Sequence, residues 1–234
     1  MPHLFPVAVM LSDFQTLTDS LVRDEEGKIS TPQRDQAIAL AVVRYGKDRP
    51  RELVEDATGD GTQYLALPAQ WEAGISGLRA IEYPIGAIPP TYIQPGCWGI
   101  YNLPGGVQKI AMQQGIAFGA DARLTYTVSH TVTDVVDTVP VTNREAVACW
   151  AAALLCDQLA ALYSGTSDPT IQADSVQHQS KAAEFAKRGN SLRTRYYNEL
   201  GIDPKRNAAA GAVVNLDLPN SLGQDRLTHP ARLR

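Results

Sequence analysis

Cys97-Trp98, with His130 downstream, is the pairing from which a thiolate nucleophile and its general base could be assembled. Such a cysteine needs the start of a helix, where the dipole lowers the thiol pKa. Gly99-Ile-Tyr-Asn-Leu-Pro104-Gly-Gly follows instead and cannot be helical, so the pair reads as a buried cysteine and tryptophan on a strand. The histidines, His3, His130, His178 and His229, stand apart, without the second ligand at same-face spacing that a zinc site requires. His178 follows Asp174 by one helical turn, a surface pair worth only tenths of a kcal/mol. Asp56 and Asp60 flank Gly59 and Gly61, but no glutamate closes a calcium loop, and turn chemistry accounts for them. Pro104-Gly105-Gly106 lacks the Lys-Ser/Thr of a phosphate loop and reads as a turn. There is no Gly-x-Ser-x-Gly elbow. The expectation is therefore no catalytic residue, no cofactor and no metal.

The composition, 44% hydrophobic and 20% charged over 234 residues, is that of a globular chain of one or two domains. A net charge of −4 excludes a strongly basic nucleic-acid binder. The charge is uneven: residues 1–170 carry 11 Lys/Arg against 19 Asp/Glu, and residues 171–234 carry 10 against 6. An acidic body with a basic end suggests an interaction tail that seeks an acidic surface. Cys149 and Cys156 share a helix face, too far apart to bridge within it, and read as small buried hydrophobes. The opening Met1-Pro-His-Leu-Phe-Pro has no basic n-region or long apolar run, so no signal peptide is expected, and no stretch of membrane-spanning length is free of charge and proline.

The elements that must position these residues are helices around a strand-rich middle. Leu11, Phe14, Leu17 and Leu21 predict a helix from Ser12, its N-cap, to Glu26, ended by Gly27. A second helix is expected over Thr31–Tyr45, capped by Ser30, with Pro32 in its first turn, an apolar stripe of Ile38, Ala41, Val42 and Tyr45, and Gly46 as stop. The short loop between them predicts an antiparallel hairpin. From Arg51 to His130 the helical period vanishes. Segments 53–57 and 63–67 flank Thr58-Gly-Asp-Gly-Thr62 and read as a β-hairpin turning at Asp60-Gly61. Leu78–Ile85, Gly99–Leu103, Val107–Met112 and Ala122–Val128 are further strand candidates.

A third helix is expected after Pro140, over Asn143–Tyr163, with Thr142 and Glu145 at capping-box spacing. Ala146 to Cys156 is apolar on nearly every face, which predicts that neighbouring subunits complete its burial. A fourth helix runs from after Asp174-Ser175 to Leu200, with Gly201 at C′. Its stripe is Phe185, Gly189, Leu192, Tyr196 and Leu200, and Lys181, Glu184, Lys187, Arg188 and Arg195 face water. Beyond it, Pro219, Gly223 and Pro230 interrupt a run with scattered Val213, Val214, Leu216, Leu218, Leu222 and Leu227. That run is too apolar for a solvent tail and too broken for a core, so it is expected to dock on a partner, the alternative being a tail that packs back on its own bundle. The fold class is α+β: a four-helix bundle of two helical hairpins (1–50 and 131–201), an inserted small antiparallel β-domain (51–130) and an extended C-terminal arm (202–234).

Arg123-Leu-Thr-Tyr-Thr-Val-Ser-His130, Val139-Pro140 and Arg144-Glu-Ala-Val-Ala-Cys-Trp-Ala-Ala-Ala-Leu-Leu-Cys156-Asp-Gln-Leu-Ala160 resemble a tailed-bacteriophage head-to-tail connector, or neck adaptor. Ala173-Asp-Ser-Val-Gln-His-Gln-Ser-Lys181 and Ser191-Leu-Arg-Thr-Arg-Tyr-Tyr-Asn-Glu-Leu-Gly201 share the likeness, which covers roughly the C-terminal half. The resemblance implies a structural virion protein at the head-tail junction, made in the bacterial host cytoplasm, and no enzyme. It implies a homo-oligomeric ring of about twelve copies under the portal protein. Such a ring extends a channel that passes DNA without sequence-specific binding and docks the tail or a second neck protein, with no membrane partner. Arg206, Leu216, Leu218, Arg226 and Arg232 are the expected partner-touching positions of the arm. The alternatives are a tail-completion or head-decoration protein, a lytic hydrolase built on Cys97 and His130, and a small-molecule binding module in the β-insertion.

Overall fold

The computed structural model describes residues 11–165 and 172–204, with the backbone alone described over 172–180. The described residues are mixed α+β, with four helices and small antiparallel sheets. It divides into two compact units: a first made of residues up to Asp56, Pro68–Ile81 and Arg123–Asp203, and a second containing Ala57–Leu67 and Glu82–Ala122.

In the first unit, α1 spans Leu11–Val22 and buries Phe14, Thr18 and Val22. It stops before the expected Glu26: Arg23 takes a positive φ of 52° and its N–H bonds to the Asp19 carbonyl. Ser12 lies inside the helix, where its carbonyl accepts from Thr16 Oγ1, and is not the N-cap. α2 spans Thr31–Asp48 behind Ser30, whose backbone N–H donates to Gln33 Oε1 at 2.8 Å. Gly46 does not stop α2, which runs on until Arg49 and Pro50. A backbone with every i−4 carbonyl available outlasts one glycine, at a cost of about 1 kcal/mol relative to alanine.

A short turn, Val141–Asn143, leads into α3, Arg144–Gly165. The expected capping box does not form: Thr142 Oγ1 reaches Asn143 Oδ1, and the Glu145 carboxylate pairs with Arg195. α4 spans Gln172–Leu200 and closes at Gly201, whose φ of 64° permits the expected C′ turn. The expectation that other subunits complete the burial of α3 is corrected here. α1, α2 and α4 of the same chain pack on it, and Ala146–Cys149, Ala151–Ala153, Leu155 and Cys156 are buried. One small core suffices because the buried side chains are mostly alanine and cysteine, so neighbouring backbones come close. At Gly189 of α4 a Cβ would stand 3.1 Å from Asp157 Oδ1 and 3.3 Å from the Ala153 carbonyl. An 18-residue window within 141–165 has a mean hydropathy of 1.5, so by length and composition this segment could cross a membrane. The same segment is this buried core helix.

Among the described residues six strands make two sheets: β1 (Arg51–Thr58), β2 (Tyr64–Leu65), β3 (Leu78–Glu82), β4 (Trp98–Asn102), β5 (Gln108–Met112) and β6 (Asp121–Val128). One sheet has the order β1-β6-β3, and alternation along β6 buries Leu124, Tyr126 and Val128. In the other, β5 is central and pairs antiparallel with β4 (Ile100 opposite Ile110) and β2 (Tyr64 opposite Ala111). Pro104-Gly105-Gly106 turns the β4–β5 hairpin, with Leu103 N–H on the Val107 carbonyl at 2.8 Å and positive φ at both glycines. The hairpin expected from 53–57 and 63–67 does not exist. Asp60-Gly61 does turn, Gly61 having φ 79° and Asp60 Oδ1 accepting from Thr62 N–H. Its flanks, however, enter different sheets. Gly59 exchanges backbone hydrogen bonds with Ala120 and Gly119, committing the chain after β1 to the approach to β6. Gly115 lies so close to the Thr62 carbonyl that a Cβ there would be 2.2 Å from its oxygen.

Candidate functional site

The arm positions Arg206, Leu216, Leu218, Arg226 and Arg232 lie outside the described residues. The described chain leads to them from a firmly anchored point. Leu200 carbonyl accepts from the Arg49 guanidinium at 2.6 Å, and Ile202 N–H bonds back to Tyr197. Beside it, Asp48 Oδ2 accepts both Tyr196 Oη–H at 2.6 Å and Arg44 Nε–H at 2.9 Å. Burial first, and the Asp48 carboxylate second, push the Tyr196 phenol well above its ordinary pKa, so it remains the donor.

The basic character of the C-terminal part is largely neutralised within the chain before the arm begins. On α4, Lys181 pairs with Glu26, Arg188 with Glu184, Arg193 with Asp157 and Arg195 with Glu145. Arg188 also donates to the Val22 carbonyl at the end of α1, a favourable place for a cation. The face expected to be simply wet is an ion-pair seam holding α4 to α3 and to the α1–α2 loop.

Cys97 ends the short turn Pro95–Cys97 and precedes β4. It is partly exposed, not buried as expected, and it lines a cleft of about 340 Å³ with Tyr92, Ile93 and Gln113. No helix starts there, so no dipole acts on the thiol. Trp98 Nε1–H donates to the Ile93 carbonyl at 3.3 Å. His130 has both ring nitrogens engaged locally: Nε2 lies 2.9 Å from the Arg49 carbonyl, and Nδ1 lies 3.1 Å from the Thr138 carbonyl and 3.2 Å from its hydroxyl. Its ring also packs on Tyr45, with centroids 4.8 Å apart. That is a structural histidine joining the end of α2 to the 130–138 loop.

The remaining candidates resolve similarly. Asp56 makes a two-pronged pair with Arg123 at 2.8 and 3.0 Å, which holds its carboxyl below the usual range. Asp60 is held low by the Thr62 hydroxyl and N–H, as a turn residue. Cys149 and Cys156 are fully buried, and desolvation lifts each thiol to about 11, so neither is poised as a nucleophile. His3 and His229, and the side chain of His178, lie outside the described residues. Among the described residues no three His, Cys, Asp or Glu side chains gather at metal-binding distance.

One surface escaped the sequence reading. α2 is apolar without a break from Ala37 to Val43, yet only one stripe was assigned to the core. Leu40 and Val43 stand 53% and 57% exposed on another face. Two adjoining clefts within the first unit, of about 430 and 330 Å³, share Val42, Val43 and His130 and so form one groove along this helix. The unbroken apolar run was the available signal, since a one-sided surface helix needs only about half its positions apolar. No family profile and no curated protein matches the sequence.

Proposed function

We propose that this chain is a structural virion protein, a head-to-tail adaptor that forms a ring of about twelve copies beneath the portal. Its helices act as a four-helix bundle with an inserted β-domain, and the arm over 202–234 docks on the portal. The observation that carries the reading is where the resembling segments fall. Scattered from Arg123 to Gly201, they supply β6, the turn into α3, α3 itself and α4, and α3 and α4 pack along one another as the core of the first unit.

The burial of α3 within its own chain moves the subunit contacts elsewhere. Val54, Val135, Val141 and Leu162, each at least 44% exposed, are the apolar positions assigned to them. The acidic body suits a channel wall, because DNA binding requires Lys/Arg neutralisation of phosphates. The arm retains Lys205, Arg206, Arg226, Arg232 and Arg234 against Asp203, Asp217 and Asp225, which suits an acidic portal surface.

The test is sedimentation of the full-length chain with purified portal rings. Arg206→Glu, Arg226→Glu and Arg232→Glu together are expected to weaken attachment at least about tenfold, with the wild-type interaction itself weakening as salt rises. Equal attachment by wild type and triple variant would remove the arm from the interface.

A further inference from the structure

The groove along α2 is built but uncovered. Its floor is apolar, with Val42, Val43, Ile75, Leu78 and Val128, and Ile75 is 65% exposed. Its two ends differ in charge. Asp35 lines one end with Leu11, Thr131 and Val132, and Lys47 and Arg79 line the other. Asp35 is engaged by Gln15 and Arg34, whereas the exposed Lys47 and Arg79 form no ion pair among the described residues. From Asp35 to Lys47 the helix rises about 18 Å at 1.5 Å per residue.

The same unit carries a knob of matching chemistry, the turn Thr133-Asp-Val-Val136. Val132 and Asp137 pair across its stem, and Thr133 N–H donates to the Val136 carbonyl at 2.8 Å. Thr133 Oγ1 accepts from the Val135 and Val136 N–H groups at 3.3 and 2.9 Å, and Asp137 is held by Arg144 at 3.0 Å. A turn braced this way has little freedom left to lose on docking. Val135 is 81% exposed and Val136 48%, beside an exposed Asp134 that forms no ion pair among the described residues. Two valines with an adjoining carboxylate fit an apolar floor with two adjoining cations. The knob follows Thr131 and Val132, so it stands at the Asp35 end of its own groove, with its own Lys47 and Arg79 at the far end. It meets matching cations only on another copy.

We propose that the Asp134-Val135-Val136 turn of one copy docks in the Lys47 end of the α2 groove of the next. The valines lie on Val43, Ile75 and Leu78, and Asp134 sits beside Lys47 and Arg79. A contact that joins one end of a subunit to the opposite end of its neighbour repeats head to tail, as a ring requires. The proposal rests on the adaptor reading and deepens it by naming the contact between ring subunits. One turn covers far less than the roughly 800 Å² per partner of a stable interface. The free chain therefore stays monomeric at ordinary concentrations, and the contact fills where a portal holds copies side by side.

The test uses full-length protein without portal, at about 1 mM to stand in for the crowding of subunits on a template. Val135→Cys with Ile75→Cys on one chain, in a Cys97→Ser background, is oxidised mildly, separated under non-reducing denaturing conditions and mapped by mass spectrometry. A ladder of dimers, trimers and longer chains is expected, joined through residues 135 and 75 of different copies. Its yield should be at least about ten times that of a Val141→Cys/Ile75→Cys control. A yield no higher than the control overturns the proposal. So does a product that stops at dimers joined by two such disulfides, which would mean a two-fold contact. In the same trapping background, Asp134→Lys is expected to lower the yield about fivefold or more, and adding Lys47→Glu with Arg79→Glu to restore it. Equal yields from all three also overturn it. Neither measurement involves the portal. A ladder that forms while the triple arginine variant still attaches normally would sink the arm–portal reading alone, and a missing ladder with normal portal attachment of the wild type would sink this contact alone.

Discussion

The two units of this chain are held by different means. The first is held by side chains. A continuous apolar cluster runs from Phe14 through Tyr45 and the alanine-rich face of α3 to Tyr196 and Leu200, and ion pairs line its α4 seam. The second buries little, chiefly Leu65, Ile110, Met112, Ile116 and Ala122. Its shape comes from backbone: positive-φ glycines at 61, 86, 105, 106 and 119, and close approaches at Gly59 and Gly115 that leave no room for a Cβ. One unit is a packing problem and the other a turn problem, so different perturbations should break each.

The largest effect is expected from emptying the packed unit. Leu155→Ala removes a fully buried side chain at the centre of the helical cluster and should cost about 3–5 kcal/mol in chemical denaturation. A cost below 1 kcal/mol would mean that α3 is not packed as described. Alkaline pH comes next. An unfolded cysteine loses its proton near pH 9 and the buried Cys149 and Cys156 near 11, so the folded state holds the extra protons in between. Stability contributed by the neutral thiols is therefore present below pH 9 and lost as pH rises toward 11, by about 2 kcal/mol for each thiol, with the raised Tyr196 acting in the same direction. Hydrogen exchange should show this loss in the first unit and not around β4 and β5.

Gly115→Ala should do the reverse. Its Cβ collides with the Thr62 carbonyl, and relieving that contact should cost about 1–3 kcal/mol, with faster exchange confined to residues near 62–65 and 110–116. Uniform loosening of both units would erase the distinction. The smallest effect is expected at the ion-pair seam. Arg195→Ala breaks a half-exposed pair with Glu145 and should cost under about 1 kcal/mol, less at high salt.

The same contrast governed what could be read from the sequence. α2 and α4 announced themselves through Ser30, Pro32 and Gly201, because caps are local chemistry. The strands β3 to β6 and the Pro104-Gly-Gly turn were legible for the same reason. The pairing of β1 was not. Asp60-Gly61 carries a hairpin signal, and the partner of β1 is set by Gly59 and Ala120, positions distant in sequence with no side-chain signature. The covering of α3 was misread because composition says that a helix needs cover all round without saying who supplies it. The supplier proved to be small residues, down to Gly189, that let three helices of one chain close on it. Of the candidate residues, Cys97 was expected buried on a strand and is instead partly exposed at the end of the Pro95–Cys97 turn, where proline and glycine hold the chain out of the sheet. The α2 groove was missed because Val43 merged with the core stripe beside it.

Light scattering of the full-length chain, alone and then with portal rings, tests the central claim most directly: the core closes within one chain, and assembly is left to other surfaces. The account predicts a folded monomer of 25.3 kDa that gathers into about twelve copies only on the portal. A chain that is multimeric by itself, and loses its helical signal when diluted to monomer, would contradict it.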